Sequence, residues 1–115
     1  MASDSTLRFC SVNVRGLRSN VKRKSFFSHI KQKKFDVICV QESYITEQVS
    51  DRWKMEWGGE LFLNACTSHS CGQLVLFRKG FVLDPKVVYA SKRILACSFT
   101  VHSKEITVVN AYAPS

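Results

Sequence analysis

The pattern of apolar and polar residues first indicates a strand that is buried on both faces. Within residues 35–41, the run Val-Ile-Cys-Val at 37–40 contains only β-forming side chains. Such an unbroken run is typical of a strand covered on both sides. The run stops at Glu42, where a charge follows directly on the buried segment. A carboxylate in that place needs a cation or water to compensate it. Glu42 is therefore either a metal ligand or an ordinary strand-end glutamate facing solvent.

A second strand is predicted over residues 7–14, where Ser11 and Asn13 alternate with apolar positions. A helix separates it from the buried strand, and the sequence of strand, helix and strand predicts a βαβ unit with parallel strands. Because parallel strands end at the same edge of a sheet, Asn13 and Glu42 are expected to lie near each other. The residues alone also allow Asn13 to be a turn former after its strand.

The predicted helix covers residues 21–33 and starts at Ser19-Asn20. Its apolar face comprises Phe26, Phe27 and Ile30. The other face carries the basic side chains of Lys22, Arg23, Lys24, Lys31, Lys33 and Lys34. That face is either an ordinary solvated surface or a contact for nucleic acid, for which Lys22, Arg23 and Lys24 are the candidates.

Short strands dominate the rest of the chain. They are predicted over residues 60–64, 71–78, 85–89, 94–101 and 105–111. A short helix over 46–54, capped by Thr46, precedes them. The turn at His102-Ser103-Lys104 indicates a hairpin. An antiparallel meander joined to the βαβ unit predicts a mixed sheet, and one long helix cannot cover so many strands. This favours part of a larger domain, or a domain that pairs with another chain.

Composition and charge limit the class of partner. A chain of 115 residues, 45% of them hydrophobic, can form one small domain with a core. The net charge of +8 and the pI near 9.5 favour a polyanion, either nucleic acid or an acidic membrane surface. No apolar run approaches the ~20 residues of a membrane span. Residues 1–6, expected to be disordered, lack the pattern of a signal peptide.

We therefore expect an intracellular protein, nuclear or cytoplasmic rather than secreted, with no membrane association. The odd number of cysteines, five, argues against a disulfide framework and agrees with a reducing compartment.

Three segments, in order along the chain, resemble motifs of the endonuclease/exonuclease/phosphatase superfamily. They are Ser-Val-Asn-Val-Arg-Gly-Leu-Arg at 11–18, Gln-Glu-Ser at 41–43 and Asn-Ala-Tyr-Ala-Pro at 110–114. The segment 70–77, with Gly72, resembles the glycine-led strand of that superfamily. The resemblance is closest to the N-terminal endonuclease of LINE-type (non-LTR) retrotransposons. It implies an α/β fold, namely a four-layered sandwich of two packed sheets flanked by helices. Residues 7–115 would form the N-terminal part of it.

The resemblance also implies a chemistry and roles for particular residues. The superfamily hydrolyses phosphodiesters with Mg²⁺ or Mn²⁺, and here the substrate would be DNA, with no small-molecule cofactor. The catalytic residues would be Glu42 as metal ligand, Asn13 beside metal and phosphate, and Tyr112 as a donor to a phosphate oxygen. Asn110 and Arg15 would be further phosphate-binding residues. From the residues alone, Tyr112 is also consistent with a half-buried aromatic of the last strand.

Three departures from the superfamily pattern limit the expected activity. Arg15 stands where many members have Asp or Asn, and Ser115 replaces a common asparagine. The later Gly-Asp-x-Asn and Ser-Asp-His segments, which supply the groups that handle water and phosphate, are absent from the chain. We therefore expect a site that is incomplete and inactive alone, completed by a missing C-terminal half or a second copy.

Other functions stay open on the sequence. A basic nucleic-acid-binding remnant without catalysis is one alternative, and an aggregating fragment with an exposed apolar face is another. A phosphoinositide or sphingomyelin phosphatase is disfavoured by the basic charge.

Overall fold

Two β-sheets and two α-helices form the part of the chain that the computed structural model describes, residues 6–65 and 71–113. In chain order the elements are β1 Phe9–Asn13, α1 Asn20–Gln32, β2 Val37–Gln41, a 3₁₀ turn Glu47–Val49, α2 Ser50–Trp57, β3 Glu60–Asn64, β4 Gln73–Phe77, β5 Leu83–Ala90, β6 Ile94–Val101 and β7 Lys104–Ala111. The predicted disordered segment 1–6 and the departure at Ser115 fall outside these residues, apart from Thr6.

The first sheet contains the predicted βαβ unit. Its strand order is β1-β2-β4-β3, with β1 and β2 parallel and the other pairs antiparallel. Asn13 lies opposite Gln41 in this register, so the carboxyl ends of β1 and β2 meet at one edge as predicted. The apolar residues 37–40 of β2 are buried, which confirms a strand covered on both faces.

The antiparallel meander forms a sheet of its own, β5-β6-β7, instead of extending the first sheet. Alternation of side chains predicts a strand but does not identify the strand it pairs with, so the pattern alone suggested one mixed sheet. The turn between β6 and β7 is a tight hairpin in which His102 and Ser103 have φ angles of 51° and 64°. The hairpin prediction is therefore confirmed, together with the two packed sheets that the resemblance implied.

The elements are arranged in three layers. The helices cover one face of the first sheet through a core that includes Phe27, Ile30 and Trp53. The second sheet covers the other face, where Cys39 and Phe77 pack among side chains of β6. The outer face of β5-β6-β7 is not covered within residues 6–65 and 71–113. This is the partial form of the four-layered α/β sandwich.

Helix α1 agrees with its prediction except at Arg23. Ser19 caps the helix by accepting a hydrogen bond from the backbone N–H of Lys22 at 3.3 Å. Arg23, expected on the solvated face, is only 1% exposed and pairs with Glu56 of α2 at 2.5 Å. The exposed placement of Arg23 is thus wrong, because helix α2 covers that side of α1.

The second helix begins and ends later than predicted. Thr46 precedes a 3₁₀ turn and makes no side-chain cap bond, and α2 starts at Ser50. Trp53 and Trp57 are one helical turn apart and both are buried. Packing of this pair against the sheet therefore explains why α2 extends to Trp57. Gly58 ends α2 in the left-handed conformation, with φ of 84°.

The four cysteines in the described ranges are of two kinds. Cys10, Cys39 and Cys97 are free thiols, and burial raises the pKa of Cys39 to about 11 and that of Cys97 to about 12. Cys71 forms a disulfide bond, which the odd cysteine count did not predict. No helix in the described ranges has the length and apolar character needed to cross a bilayer.

Candidate catalytic and phosphate-binding site

The loops that follow β1 and β2 are joined by backbone hydrogen bonds beyond the strands. The N–H of Val14 donates to the carbonyl of Gln41 at 3.1 Å, and that of Gly16 to the carbonyl of Glu42 at 2.6 Å. Gly16 has φ of 95°, and a Cβ there would lie 2.6 Å from the ring of Tyr44. Only glycine fits both the conformation and the space. These backbone hydrogen bonds and the close packing at Gly16 therefore hold the loop that contains Glu42 in place.

Glu42 is the point at which the predicted catalytic residues meet. Its Oε2 accepts a hydrogen bond from Asn13 Nδ2 at 2.8 Å and another from the Tyr112 hydroxyl at 2.9 Å. Asn13 comes from the end of β1 in the first sheet and Tyr112 follows β7 of the second, so residues from both sheets converge on one oxygen. Neither bond uses Oε1. The structure thus brings Asn13, Glu42 and Tyr112 together.

The same contacts set the protonation of the site. The hydrogen bond from Asn13 lowers the pKa of Glu42 most, followed by that from Tyr112, and the charge of Arg15 acts in the same direction. The bond to Glu42 raises the pKa of Tyr112. At neutral pH the site therefore presents an ionised carboxylate beside a protonated phenol. This pairing suits binding of a cation by Glu42 and donation of a hydrogen bond by Tyr112.

The backbone at the site is held in an unusual conformation. Glu42 and Arg15 have φ angles of 54° and 52°, a region that costs of order 1 kcal/mol per residue without glycine. Asn13 Oδ1 accepts from the N–H of Arg15 at 3.1 Å, while its Nδ2 donates to Glu42. Asn13 therefore forms the turn after β1 and also contacts the carboxylate of Glu42, while its catalytic role stays a prediction.

Asn110 has a different role from the predicted one. It is 1% exposed, its Nδ2 donates to the carbonyls of Val40 and Leu74 at 3.0 and 2.8 Å, and its Oδ1 accepts from Gln41 at 2.8 Å. No part of this amide is left to contact phosphate, so the phosphate-binding prediction is corrected. Asn110 joins the two sheets and sets the position of Tyr112, two residues further along.

Two glutamines that the sequence reasoning missed complete this buried network. Gln41 Nε2 also donates to Ser11 Oγ at 3.1 Å, and Gln73 Nε2 donates to the Asn110 carbonyl at 2.7 Å and the Arg93 carbonyl at 2.8 Å. Gln73 is 3% exposed at the start of the apolar strand β4. The sequence did contain a signal for the role of Gln73, because a polar residue at the start of a buried apolar strand needs hydrogen-bond partners.

The three basic residues of α1 that were predicted to contact nucleic acid differ in their exposure to solvent. Lys22 is exposed and its Nζ donates to the carbonyls of Val14 and Arg15 at 2.7 and 3.3 Å, beside the site. Lys24 is exposed on the helix. Arg23 is enclosed by Glu56, Asn20 and backbone carbonyls, so it offers no surface to nucleic acid. The prediction of nucleic-acid contacts therefore applies only to Lys22 and Lys24, and it stays a prediction.

The donors present fit a magnesium ion better than a transition metal. Within residues 6–65 and 71–113, no three His, Cys, Asp or Glu side chains are grouped so that they could hold a metal. At the site itself, Glu42 is the one ionised carboxylate among the described residues. Mg²⁺ is commonly bound by one or two carboxylates together with water and phosphate oxygens, whereas tetrahedral sites of Zn²⁺ require more protein ligands.

Comparison of the fold with solved structures identifies its class. The chain is similar to an apurinic endonuclease, LMAP, of Leishmania major (TM-score 0.67, 19% identity) and to the endonuclease domain of TRAS1, a telomere-specific non-LTR retrotransposon (TM-score 0.63, 16% identity). The chain has the endonuclease/exonuclease/phosphatase fold. A third structure with this fold, TDP2 of D. rerio, is complexed with a single-strand DNA product (TM-score 0.62, 19% identity).

Sequence comparison finds similarity to a transposon protein. The chain is 28% identical over 113 residues to an uncharacterized 149 kDa protein of transposon TX1 from Xenopus laevis. No family model matches the chain. The match covers 95% of this chain and 8% of the transposon protein. The structural matches cover 92, 94 and 92% of this chain and 40, 46 and 45% of LMAP, TRAS1 and TDP2.

Proposed function

We propose that this chain provides the metal- and phosphate-binding part of a DNA phosphodiesterase site of the retrotransposon endonuclease type. The observation that carries the proposal is the shared Oε2 of Glu42, which accepts hydrogen bonds from Asn13 and Tyr112. Residues far apart in sequence meet on one ionised carboxylate at the edge of the sheet. The similarity in fold to LMAP and TRAS1 supports phosphodiester chemistry for this geometry.

Each residue of the proposed site has one task. Glu42 would hold Mg²⁺ or Mn²⁺ through its carboxylate, and Asn13 keeps that carboxylate oriented. Tyr112 would exchange its hydrogen bond to Glu42 for one to a non-bridging phosphate oxygen, as a donor to developing negative charge. The exposed Arg15 lies close enough to lower the pKa of Glu42, so its guanidinium is placed to attract phosphate. The metal ion would neutralise charge on the phosphate.

The described residues that contact Glu42 do not include a general base for activating water. Among the described residues, the groups that contact Glu42 are an amide and a phenol, and neither accepts a proton from water at neutral pH. We propose that the groups which activate water come from sequence beyond this chain or from a second copy of it. The same observation favours a second candidate, a basic domain that binds nucleic acid without cleaving it, using its charge of +8.

Metal binding tests the proposal without requiring turnover. We would titrate Mn²⁺, visible by electron paramagnetic resonance, into the chain with a short DNA duplex present. Glu42→Gln is expected to weaken Mn²⁺ binding at least ~10-fold, because it removes the carboxylate that the described residues offer to the ion at this site. Glu47→Gln is the matched control, since Glu47 is an exposed glutamate of the same loop region. Equal affinity in wild type and Glu42→Gln would refute the metal site.

Nicking of supercoiled plasmid with Mg²⁺ or with EDTA then separates the two candidates. Metal binding at Glu42 without nicking would support an incomplete phosphodiesterase site. Metal-dependent nicking that Glu42→Gln and Tyr112→Phe both reduce by ~100-fold or more would show catalysis by this chain alone and contradict its incompleteness. Salt-sensitive DNA binding without metal binding at Glu42 would establish the second candidate.

A further inference from the structure

A pocket of about 320 Å³ lies at the end of the first sheet opposite to Glu42. The residues that line it are Lys31, Phe35, Trp57, Gly58, Arg78 and Lys79. Phe35 precedes β2, and Arg78 follows β4, which runs antiparallel to β2. Both therefore lie at the amino end of β2, whereas Glu42 follows its carboxyl end. The five residues of β2 place roughly 17 Å between the two ends.

Aromatic rings form the rigid part of this pocket. Trp57 is 3% exposed, and its Nε1 donates to the Phe77 carbonyl at 3.0 Å, which fixes the indole as the floor. Phe35 is half-buried at the wall, with the guanidinium carbon of Arg8 5.3 Å from its ring centroid. Lys31 Nζ lies 5.5 Å from the ring centroid of Trp57. Flat apolar surfaces are thus held in place with cations beside them.

The charge of the pocket wall is positive. Lys31 and Lys79 are exposed, and none of the described residues that line the pocket is acidic. Arg78 is neutralised by Asp36, whose Oδ1 lies 2.8 Å from its Nη2. Lys31 Nζ donates to the Glu56 carbonyl at 3.2 Å, and neither Lys31 nor Lys79 is paired with a carboxylate among the described residues. Two ammonium charges therefore remain beside the aromatic surface. A ligand that fits this wall has a flat apolar body and a nearby anionic group.

We propose that this pocket binds one nucleotide of a single-stranded nucleic acid, with the base against Phe35 and the phosphate against Lys31 and Lys79, while the buried Trp57 supports the pocket from beneath. The volume lies at the lower end of the range for small-ligand sites, which suits one nucleotide. Bases of a duplex are stacked and paired, so only a single strand can place a base in the pocket. This binding site is separate from Glu42 and requires no hydrolysis.

Binding of a fluorescein-labelled ten-nucleotide oligothymidylate, followed by anisotropy, tests the proposal. The double variant Lys31→Ala/Lys79→Ala is expected to bind at least ~10-fold more weakly, and its salt dependence should fall by about 1.4 in log–log slope for two lost phosphate contacts. The matched control is Lys54→Ala/Lys104→Ala, which removes the same charge from exposed lysines outside the pocket. It is expected to change affinity less than about 3-fold.

The aromatic contact has its own variants. Phe35→Ala is expected to weaken binding by about 5- to 100-fold with an unchanged salt slope, because a base loses its stacking partner. Phe35→Leu retains apolar bulk without a ring and serves if the alanine variant is unstable, as judged by thermal unfolding followed by tryptophan fluorescence. Retention of full affinity by Phe35→Leu, with the fold intact, would overturn the stacking role.

Binding of other polyanions distinguishes a pocket for one nucleotide from nonspecific attraction of any polyanion to the basic surface. A duplex and inorganic polyphosphate should lose less affinity than the oligothymidylate in the lysine double variant. Equal losses for all three ligands, or equal losses in both lysine double variants, would overturn the proposal. A ten-nucleotide RNA distinguishes DNA from RNA as the favoured strand. In EDTA, where no metal ion can bind at Glu42, the difference between the two lysine double variants should persist, so failure of the Glu42 metal site and failure of this pocket are told apart.

Discussion

Replacement of Arg23 by methionine should destabilise the fold far more than the same replacement at Lys24. The Arg23 guanidinium is buried and bound bidentately to Glu56, at 2.5 and 3.0 Å. It also donates to the carbonyls of Leu17 and Arg18 and to Asn20 Oδ1, and lies 5.0 Å from the ring of Trp53. Lys24, its neighbour in sequence, is exposed. The two residues carry equal charge in opposite environments.

The magnitude follows from these contacts. Removing one partner of a buried ion pair costs about 3–5 kcal/mol, and two carbonyls would also lose a donor. Glu56 is 18% exposed and regains some water, and methionine preserves part of the packing of the Arg23 stem, so the lower end applies. We expect a loss of about 3 kcal/mol in the free energy of unfolding for Arg23→Met. Lys24→Met should stay within about 0.5 kcal/mol of wild type.

Urea unfolding followed by tryptophan fluorescence measures the difference, because Trp53 and Trp57 both lie in the helix that carries Glu56. With a slope of ~1–3 kcal/mol per M for a small domain, a loss of about 3 kcal/mol should lower the Arg23→Met midpoint by ~1–3 M. A loss below about 1 kcal/mol in Arg23→Met, or an equal loss in Lys24→Met, would refute the buried role assigned to Arg23. An unchanged slope is required, so that the midpoints can be compared as stabilities.

Two further predictions concern Asn110 and Glu56. Asn110→Asp should cost about 2–3 kcal/mol at pH 7, because a carboxylate oxygen would face the carbonyls of Val40 and Leu74, and stability should recover as the aspartate protonates. Urea midpoints that did not differ from wild type would contradict it. The hydrogen bond from Arg23 lowers the pKa of Glu56, so its contribution is complete above the ordinary value of 4.5 and is lost as pH falls through the lower folded-state pKa. Urea midpoints from pH 6 to 2.5 should therefore decline less steeply in Glu56→Gln than in Glu47→Gln.

Part of the site could be predicted from local pattern. The buried run at 37–40 and the alternation around Asn13 identified two strands, and the helix between them required these strands to be parallel. Parallel strands end at one edge, so Asn13 and Glu42 had to be neighbours. The hydrogen bond of 2.8 Å between Asn13 and Glu42 agrees with this rule. The rule needs only the βαβ unit and no contact with later parts of the chain.

The position of Tyr112 could not be derived in this way. It lies 70 residues from Glu42 and follows the last strand of the second sheet. Only the resemblance to known motifs suggested that it reaches the site, since alternation says nothing about how two sheets pack. The contacts of Asn110 with β2 and β4 fix that packing, and they also explain why the asparagine itself is unavailable to phosphate.

The sequence by itself determined the local elements, the parallel pair of strands and the basic character of the chain, because side-chain periodicity and charge are properties of short segments. The tertiary structure alone decided which polar side chains are buried and which are exposed. Arg23 and Lys24 are adjacent on one helix, yet one lies against Glu56 of α2 and the other in solvent. Burial depends on which distant element covers a residue, and that partner is chosen by the packing of the whole fold.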